Sequence, residues 1–215
     1  MRTQGPVGTT VRYICLADGQ NRLRALRGLL NRDELTRMNR LDTTALRDAY
    51  AITHGSVRVL LAQYSGVHPR DLRFSRRPQG KPETVAPARA AGVHWNLSTS
   101  GDWALLGISP HRPVGVDLER IRVPAAAVLG LARYFPRTDR QFLRSLPEAR
   151  RSRAYHGLWV RKEAWAKARG LGVVHALRQP VADGFADDPG AVHDLAAPTG
   201  YVAAVCLAAP EADHP

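Results

Sequence analysis

Three acidic residues and a pair of lysines have the types and spacing to do chemistry on a phosphate. In "VGVDLE" (114–119), the period of two along a strand places Gly115, Asp117 and Glu119 on one face, with Val114, Val116 and Leu118 on the other. Residues two apart on a strand face are separated by about 6.5–7 Å at the backbone. Both carboxylates can therefore lean toward one divalent ion, and Gly115 leaves space beside them. Asp-x-Glu is a common pattern, and taken alone it more often describes a solvated strand face. In "GLWVRKEAWAKARGLGV" (157–173), a helix at about 100° per residue gathers Trp159, Lys162, Glu163, Ala166, Lys167 and Gly170 on one stripe. Leu158 and Trp165 fall on a neighbouring flank. A surface ion pair between Glu163 and Lys167 would be worth a few tenths of a kcal/mol, but it would explain neither the tryptophan nor the mixed stripe. A hard cation such as Mg²⁺ takes a few carboxylates and keeps waters and substrate phosphates. Glu163 would supply a third carboxylate. Lys81 in "QGKPE", with Lys162 or Lys167, would supply positive charge for the phosphates.

The elements that must position these groups follow from periodicity and turn chemistry. "VRYICLA" alternates as a strand, and "NRLRALRGLL" and "NRDELTRMNRL" form short helices, the second capped by Asn31. Residues 43–64 carry the longest helical pattern, closed by Gly66. "PRDLRFSRRPQGKPETV" is a strand and turn. "VHWNLSTSGDWALLGIS" and "VGVDLERI" are expected as two strands joined by the turn "PHRP". Helices follow at 124–132, 138–146 and 150–169, then the strand "YVAAVCLAA". The fold class is α+β, in two comparable halves. A disordered stretch (1–10) leads into an N-terminal half (11–110), then a C-terminal half (111–209) carrying the carboxylates and a short tail (210–215).

Composition excludes some classes. With 215 residues, 44% of them hydrophobic, the chain can bury a core. No apolar run is long enough to span a membrane, and "MRTQGPVGTT" lacks the apolar centre of a secretion signal. Cys15 and Cys206 lie in apolar strand-like runs without metal-ligand spacing, as buried thiols of a reducing compartment. A soluble cytoplasmic protein is expected. The formal charge of +12 favours an anionic partner, whether nucleic acid, a phosphorylated small molecule or an acidic protein. Its arginines are spread along the chain, which equally suits background composition with no binding role.

Four segments in order, "GKPE" (80–83), "HWNLSTSG" (94–101), "VGVDLERI" (114–121) and "LWVRKEAWAKARGLG" (158–172), resemble the Sfp-type 4′-phosphopantetheinyl transferase family. The likeness covers residues 11 to 208. It implies transfer of the phosphopantetheine arm of coenzyme A to a serine of an acyl or peptidyl carrier protein, with release of adenosine 3′,5′-bisphosphate. It also implies a pseudo-twofold pair of α+β halves with coenzyme A and Mg²⁺ in the cleft between them. By motif position, Asp117, Glu119 and Glu163 are then the metal carboxylates, and Glu163 is also the base toward the carrier serine. Lys167 sits on the phosphates, Lys81 and Ser98 hold coenzyme A, and Arg47 meets one of its phosphates. A monomer acting on acidic carriers of polyketide or nonribosomal peptide synthesis completes the implied picture.

Two departures stand out. The family's N-x-S-H-S-G places a histidine on the 3′-phosphate of coenzyme A, where this chain has Thr99, a hydroxyl without positive charge. His94 lies close by without any sequence feature that ties it to the ligand. "RYFPRTDRQF" has Asp139 where many relatives carry glutamate. A nucleic-acid-binding module lacks a motif here, and another metal-dependent phosphate enzyme would use Asp117 and Glu119 in the same way. Both remain open at this point.

Overall fold

Strand β1 (Arg2–Gln4) pairs antiparallel with β2 (Thr10–Cys15), so part of the segment expected to be disordered forms a sheet edge. The connecting turn bonds the Thr9 N–H to the Pro6 carbonyl, and the pairing covers an edge that β2 would otherwise expose. The computed structural model describes residues 2–6, 8–76, 82–86, 93–181 and 192–208.

Helix α1 (Leu23–Arg27) is short, and α2 (Arg32–Asn39) opens on a capping box. Asn31 accepts from the Glu34 N–H while the Glu34 carboxylate accepts from the Asn31 N–H. Helix α3 (Thr44–Ser65) starts at a Thr43 cap and ends on Gly66 at φ 66°, the left-handed conformation that glycine adopts without strain. Strands β3 (Arg73–Arg76) and β4 (Pro82–Ala86) form a separate ribbon.

Residues 93–109 are a hairpin, not the single strand expected. Strands β5 (His94–Ser100) and β6 (Trp103–Ser109) pair in register, with Ser100 opposite Trp103. Gly101, at φ 55°, and Asp102 make the two-residue turn. The apolar residues stop at Leu97 and resume at Trp103, and the intervening Ser-Thr-Ser-Gly-Asp run contains the Ser-Gly turn signal that marks the reversal. The sheet order is β1-β2-β6-β5.

The second half contributes β7 (Val114–Arg120), α4 (Val128–Leu131), α5 (Arg137–Ser145), α6 (Glu148–Arg169), α7 (Val173–Arg178), β8 (Val192–Leu195) and β9 (Tyr201–Leu207). Its sheet runs β7-β9-β8, antiparallel throughout. The architecture is α+β. Val11, Tyr13 and Leu105 of one sheet share a core with Val114, Val116, Leu118 and Val205 of the other. Helix α6 packs Val160, Ala164 and Ala168 onto Val202, Ala204 and Cys206.

Gly115 is where α6 and β7 come closest. A Cβ there would meet the Ala164 carbonyl oxygen at 2.1 Å and the Ala168 nitrogen at 2.4 Å. The space that the sequence left for an ion is filled by helix backbone; the glycine serves close approach instead. Neither cysteine forms a disulfide among the described residues; Cys206 is buried and Cys15 half-buried. Among the described residues no helix is long and apolar enough to cross a membrane.

Candidate active site

Strand alternation turns Asp117 and Glu119 to the side of β7 that faces α6, where Glu163 and Lys167 project one turn apart. Asp117, Glu119, Glu163 and Lys167 line one pocket of about 370 Å³, together with Ser98, Thr99 and Trp159. Lys167 Nζ lies 2.6 Å from Asp117 Oδ1 and 4.0 Å from Glu163 Oε2. The Ser98 hydroxyl donates to Asp117 Oδ1 at 2.8 Å, and the Ser100 hydroxyl donates to Glu119 Oε2 at 2.9 Å. Asp117 is 3% exposed. Trp159 is held by aromatic stacking: its ring lies 6.4 Å from that of Phe135, which stacks in turn on Tyr155 at 5.2 Å. The tryptophan thus fixes the face of α6 from which Glu163 projects.

The electrostatics are unbalanced. Burial pushes the Asp117 carboxyl above its ordinary range, against the opposing pull of Lys167, Ser98 and the Leu118 N–H. Burial also raises Glu163; Lys167 opposes this, while the neighbouring Asp117 and Glu119 add to it. Among the described residues, Asp117 Oδ2 and Glu163 Oε1 are buried with no hydrogen-bond partner. Two orphaned carboxylate oxygens in one pocket fit a cation, because a buried acceptor without a partner costs about 1–3 kcal/mol. Among the described residues, no three His, Cys, Asp or Glu side chains already converge as a ready-made metal cluster. The Lys167 ammonium instead stands against Asp117.

Other candidates lie elsewhere. Lys162 is not available to phosphates. It is fully buried, 2.6 Å from Asp139 Oδ2, donates to the Gln179 carbonyl and lies over the Phe135 ring at 4.9 Å. Asp139 also accepts from the Val181 N–H at 2.9 Å, so this pair ties α5 and α6 to the chain after α7. The helical stripe placed Lys162 beside Glu163 correctly but gave no sign that α5 covers it. Arg47 Nε donates to the Leu41 carbonyl at 2.9 Å. Thr99 is exposed and borders both the main pocket and a cavity of about 260 Å³ that Tyr50 and His54 also line. His94 opens β5, opposite Ser109. Lys81 lies outside the described residues. Sequence reasoning overlooked Ser100, although the alternation Asn96, Ser98, Ser100 on a buried strand was its visible signal.

Residues 113–206 match the 4′-phosphopantetheinyl transferase superfamily. Over 161 residues the chain is 34% identical to the 4′-phosphopantetheinyl transferase HetI of Nostoc sp., covering 74% of this chain and 68% of that protein. Over 156 residues it is 35% identical to a Synechocystis sp. protein provisionally given the same enzyme name, covering 72% of this chain and 63% of that one. Identity to the Bacillus subtilis 4′-phosphopantetheinyl transferase Sfp is 26% over 117 residues, 54% of this chain and 50% of Sfp. The chain therefore spans between half and about two thirds of the length of these relatives.

Proposed function

We propose, for a chain that belongs to the 4′-phosphopantetheinyl transferase superfamily, that it transfers the phosphopantetheine arm of coenzyme A to a serine of an acyl or peptidyl carrier protein. The observation that carries this reading is the pocket that joins Asp117, Glu119, Glu163 and Lys167. Glu163 accepts the proton of the carrier serine. The serine oxygen then bonds to the phosphorus that bears the pantetheine arm, and the pyrophosphate bond breaks to release adenosine 3′,5′-bisphosphate. Burial raises the Glu163 carboxyl above its ordinary range, which makes its ionised form a stronger base.

Lys167 moves from Asp117 to the pyrophosphate, where its ammonium offsets oxyanion charge. Asp117, Glu119 and Glu163 are the residues that would hold Mg²⁺, and the two orphaned oxygens support that assignment. When bound, the ion would neutralise charge on the pyrophosphate and the leaving bisphosphate. Thr99 offers a neutral hydroxyl to a coenzyme A phosphate, with Lys81 and Arg47 as further candidates and Ser98 at the pocket wall. In this reading the pocket is the cleft between two similar halves, β5 from one and β7 with α6 from the other. All the groups come from one chain, so a monomer suffices. Unbridged cysteines at 15 and 206 fit a cytoplasmic setting, and carriers of polyketide or nonribosomal peptide assembly are the proposed partners.

Intact-mass spectrometry of apo-carrier proteins incubated with coenzyme A, Mg²⁺ and the enzyme tests the reading. The expected result is a gain equal to one phosphopantetheine arm that depends on Mg²⁺. Unmodified carriers alongside released inorganic phosphate or cut nucleic acid would replace it with phosphate-ester hydrolysis.

A further inference from the structure

Strand β5 carries a buried polar row whose hydrogen bonds to β7 have no part in the proposed transfer steps. Asn96, Ser98 and Ser100 alternate along it, 5%, 8% and 6% exposed. The backbone of β5 pairs with β6, and that of β7 pairs with β9. Between β5 and β7, among the described residues, three hydrogen bonds run from β7 backbone to β5 side chains. Val116 N–H donates to Asn96 Oδ1 at 2.9 Å, Leu118 N–H to Ser98 Oγ at 3.3 Å and Arg120 N–H to Ser100 Oγ at 3.1 Å. The three side chains replace a backbone ladder along the seam.

Each serine does a second thing. A hydroxyl has one donor and two acceptor lone pairs. Ser98 accepts from Leu118 and donates to Asp117; Ser100 accepts from Arg120 and donates to Glu119. One hydroxyl thus fixes both the backbone register of β7 and the side-chain direction of the adjacent carboxylate. The geometry assigns Ser98 and Ser100 as positioning residues that set Asp117 and Glu119 toward the pocket, with Asn96 pinning the start of the same seam. Its catalytic consequence rests on the reading that these carboxylates serve the transfer; its structural content does not. Alanine would remove both functions at once and leave a buried N–H without its partner, whereas threonine keeps the hydroxyl and suits a strand.

Partners that orient ligand groups typically account for about 10–100-fold in metal affinity or activity. The experiment compares wild type, Ser98→Ala, Ser100→Ala and Ser98→Thr. It measures kcat and KM for coenzyme A, Mn²⁺ binding to the protein alone by electron paramagnetic resonance, and crystal structures of wild type and Ser98→Ala. Ser98→Ala is expected to lower kcat and Mn²⁺ affinity by about tenfold or more, with KM for coenzyme A nearly constant and Asp117 turned from its present direction. Ser98→Thr restores all three, and Ser100→Ala gives a smaller version of the same pattern, since Glu119 is less buried than Asp117. A raised KM with kcat and Mn²⁺ binding intact would make Ser98 a direct coenzyme A contact and overturn the assignment. Loss of stability in Ser98→Ala leaves Ser98→Thr and Ser100→Ala to decide on the same readouts. A wild type that neither transfers the arm nor binds Mn²⁺, yet whose Asp117 turns away in Ser98→Ala, would sink the transferase reading and keep the positioning role. An active wild type whose Asp117 and kcat are unmoved by Ser98→Ala would do the reverse.

Discussion

Gly115→Ala is the substitution that most sharply probes how the site is assembled. Its Cβ would stand 2.1 Å from the Ala164 carbonyl oxygen, where ordinary contact begins at 3.4 Å, a shortfall of about 1.3 Å. The Ala168 nitrogen, at 2.4 Å, crowds the same point. Both are backbone atoms in the C-terminal turns of α6, so no side chain can swing aside and the helix must move outward. Overpacking commonly costs about 1–3 kcal/mol, and rigid neighbours put this case near the upper end. For a chain of this size, about 3 kcal/mol lowers Tm by roughly 6–12 °C. The same movement carries Glu163 and Lys167 away from Asp117, and a misplacement of about 1 Å at reacting groups can cost about 10²-fold in rate. Thermal unfolding followed by circular dichroism, with transfer followed by carrier mass, reads both effects. Gly157→Ala is the control: it lies in the same helix, its Cβ would meet nothing within 4 Å, and it should gain up to about 1 kcal/mol from helix propensity. A Gly115→Ala protein with unchanged Tm and turnover would refute the close-approach reasoning.

Three further outcomes follow from the charges. Because burial raises Asp117 and Glu163, the folded protein keeps protons that the unfolded chain has already released above the ordinary carboxylate range. These two groups therefore favour the fold at acid pH, and that contribution is lost as pH rises through the raised values. Ionised carboxylates bind Mg²⁺, so the Tm gain from Mg²⁺ should be larger near pH 8 than near pH 5.5; equal gains would contradict it. Lys162→Met leaves the Asp139 charge buried and should cost about 3–5 kcal/mol in urea unfolding. The double variant Lys162→Met/Asp139→Asn should recover at least half of that, and a neutral single variant would show that the pair is not coupled. Finally, if the net charge of +12 steers acidic carriers, the rate at low carrier concentration should fall as salt rises from about 50 to 500 mM, with less change at saturation. A salt-independent rate would assign the charge to background composition.

Much of the site was legible because strand and helix periods fix which residues share a face. The pattern in 114–119 set Asp117 and Glu119 together, and the stripe on α6 set Glu163 and Lys167 beside Trp159; the structure joins all five in one pocket. What periodicity cannot show is what covers a face. Lys162 shares the stripe, yet α5 brings Asp139 over it and makes it a core ion pair. Gly115 looked like room for an ion because nothing local reveals that α6 passes against it. The hairpin at Gly101–Asp102 did carry a local signal, the polar Ser-Gly-Asp run, which a reading of 93–109 as one strand passed over. Ser100 and Asn96 were missed for a related reason: their partners are backbone N–H groups of β7, some twenty residues away, and sequence spacing does not report that contact.

The account turns on Glu163, and one comparison tests it most directly. Glu163→Gln keeps the size and leaves Trp159 and Lys167 in place, but it removes the base. Wild type and Glu163→Gln are given the same apo-carrier, coenzyme A and Mg²⁺ under single-turnover conditions, with coenzyme A binding measured in parallel by calorimetry. The account predicts that the variant binds coenzyme A but transfers the arm at least about 10²-fold more slowly, the lower range of a positioned base's contribution. Transfer by Glu163→Gln at the wild-type rate would contradict it.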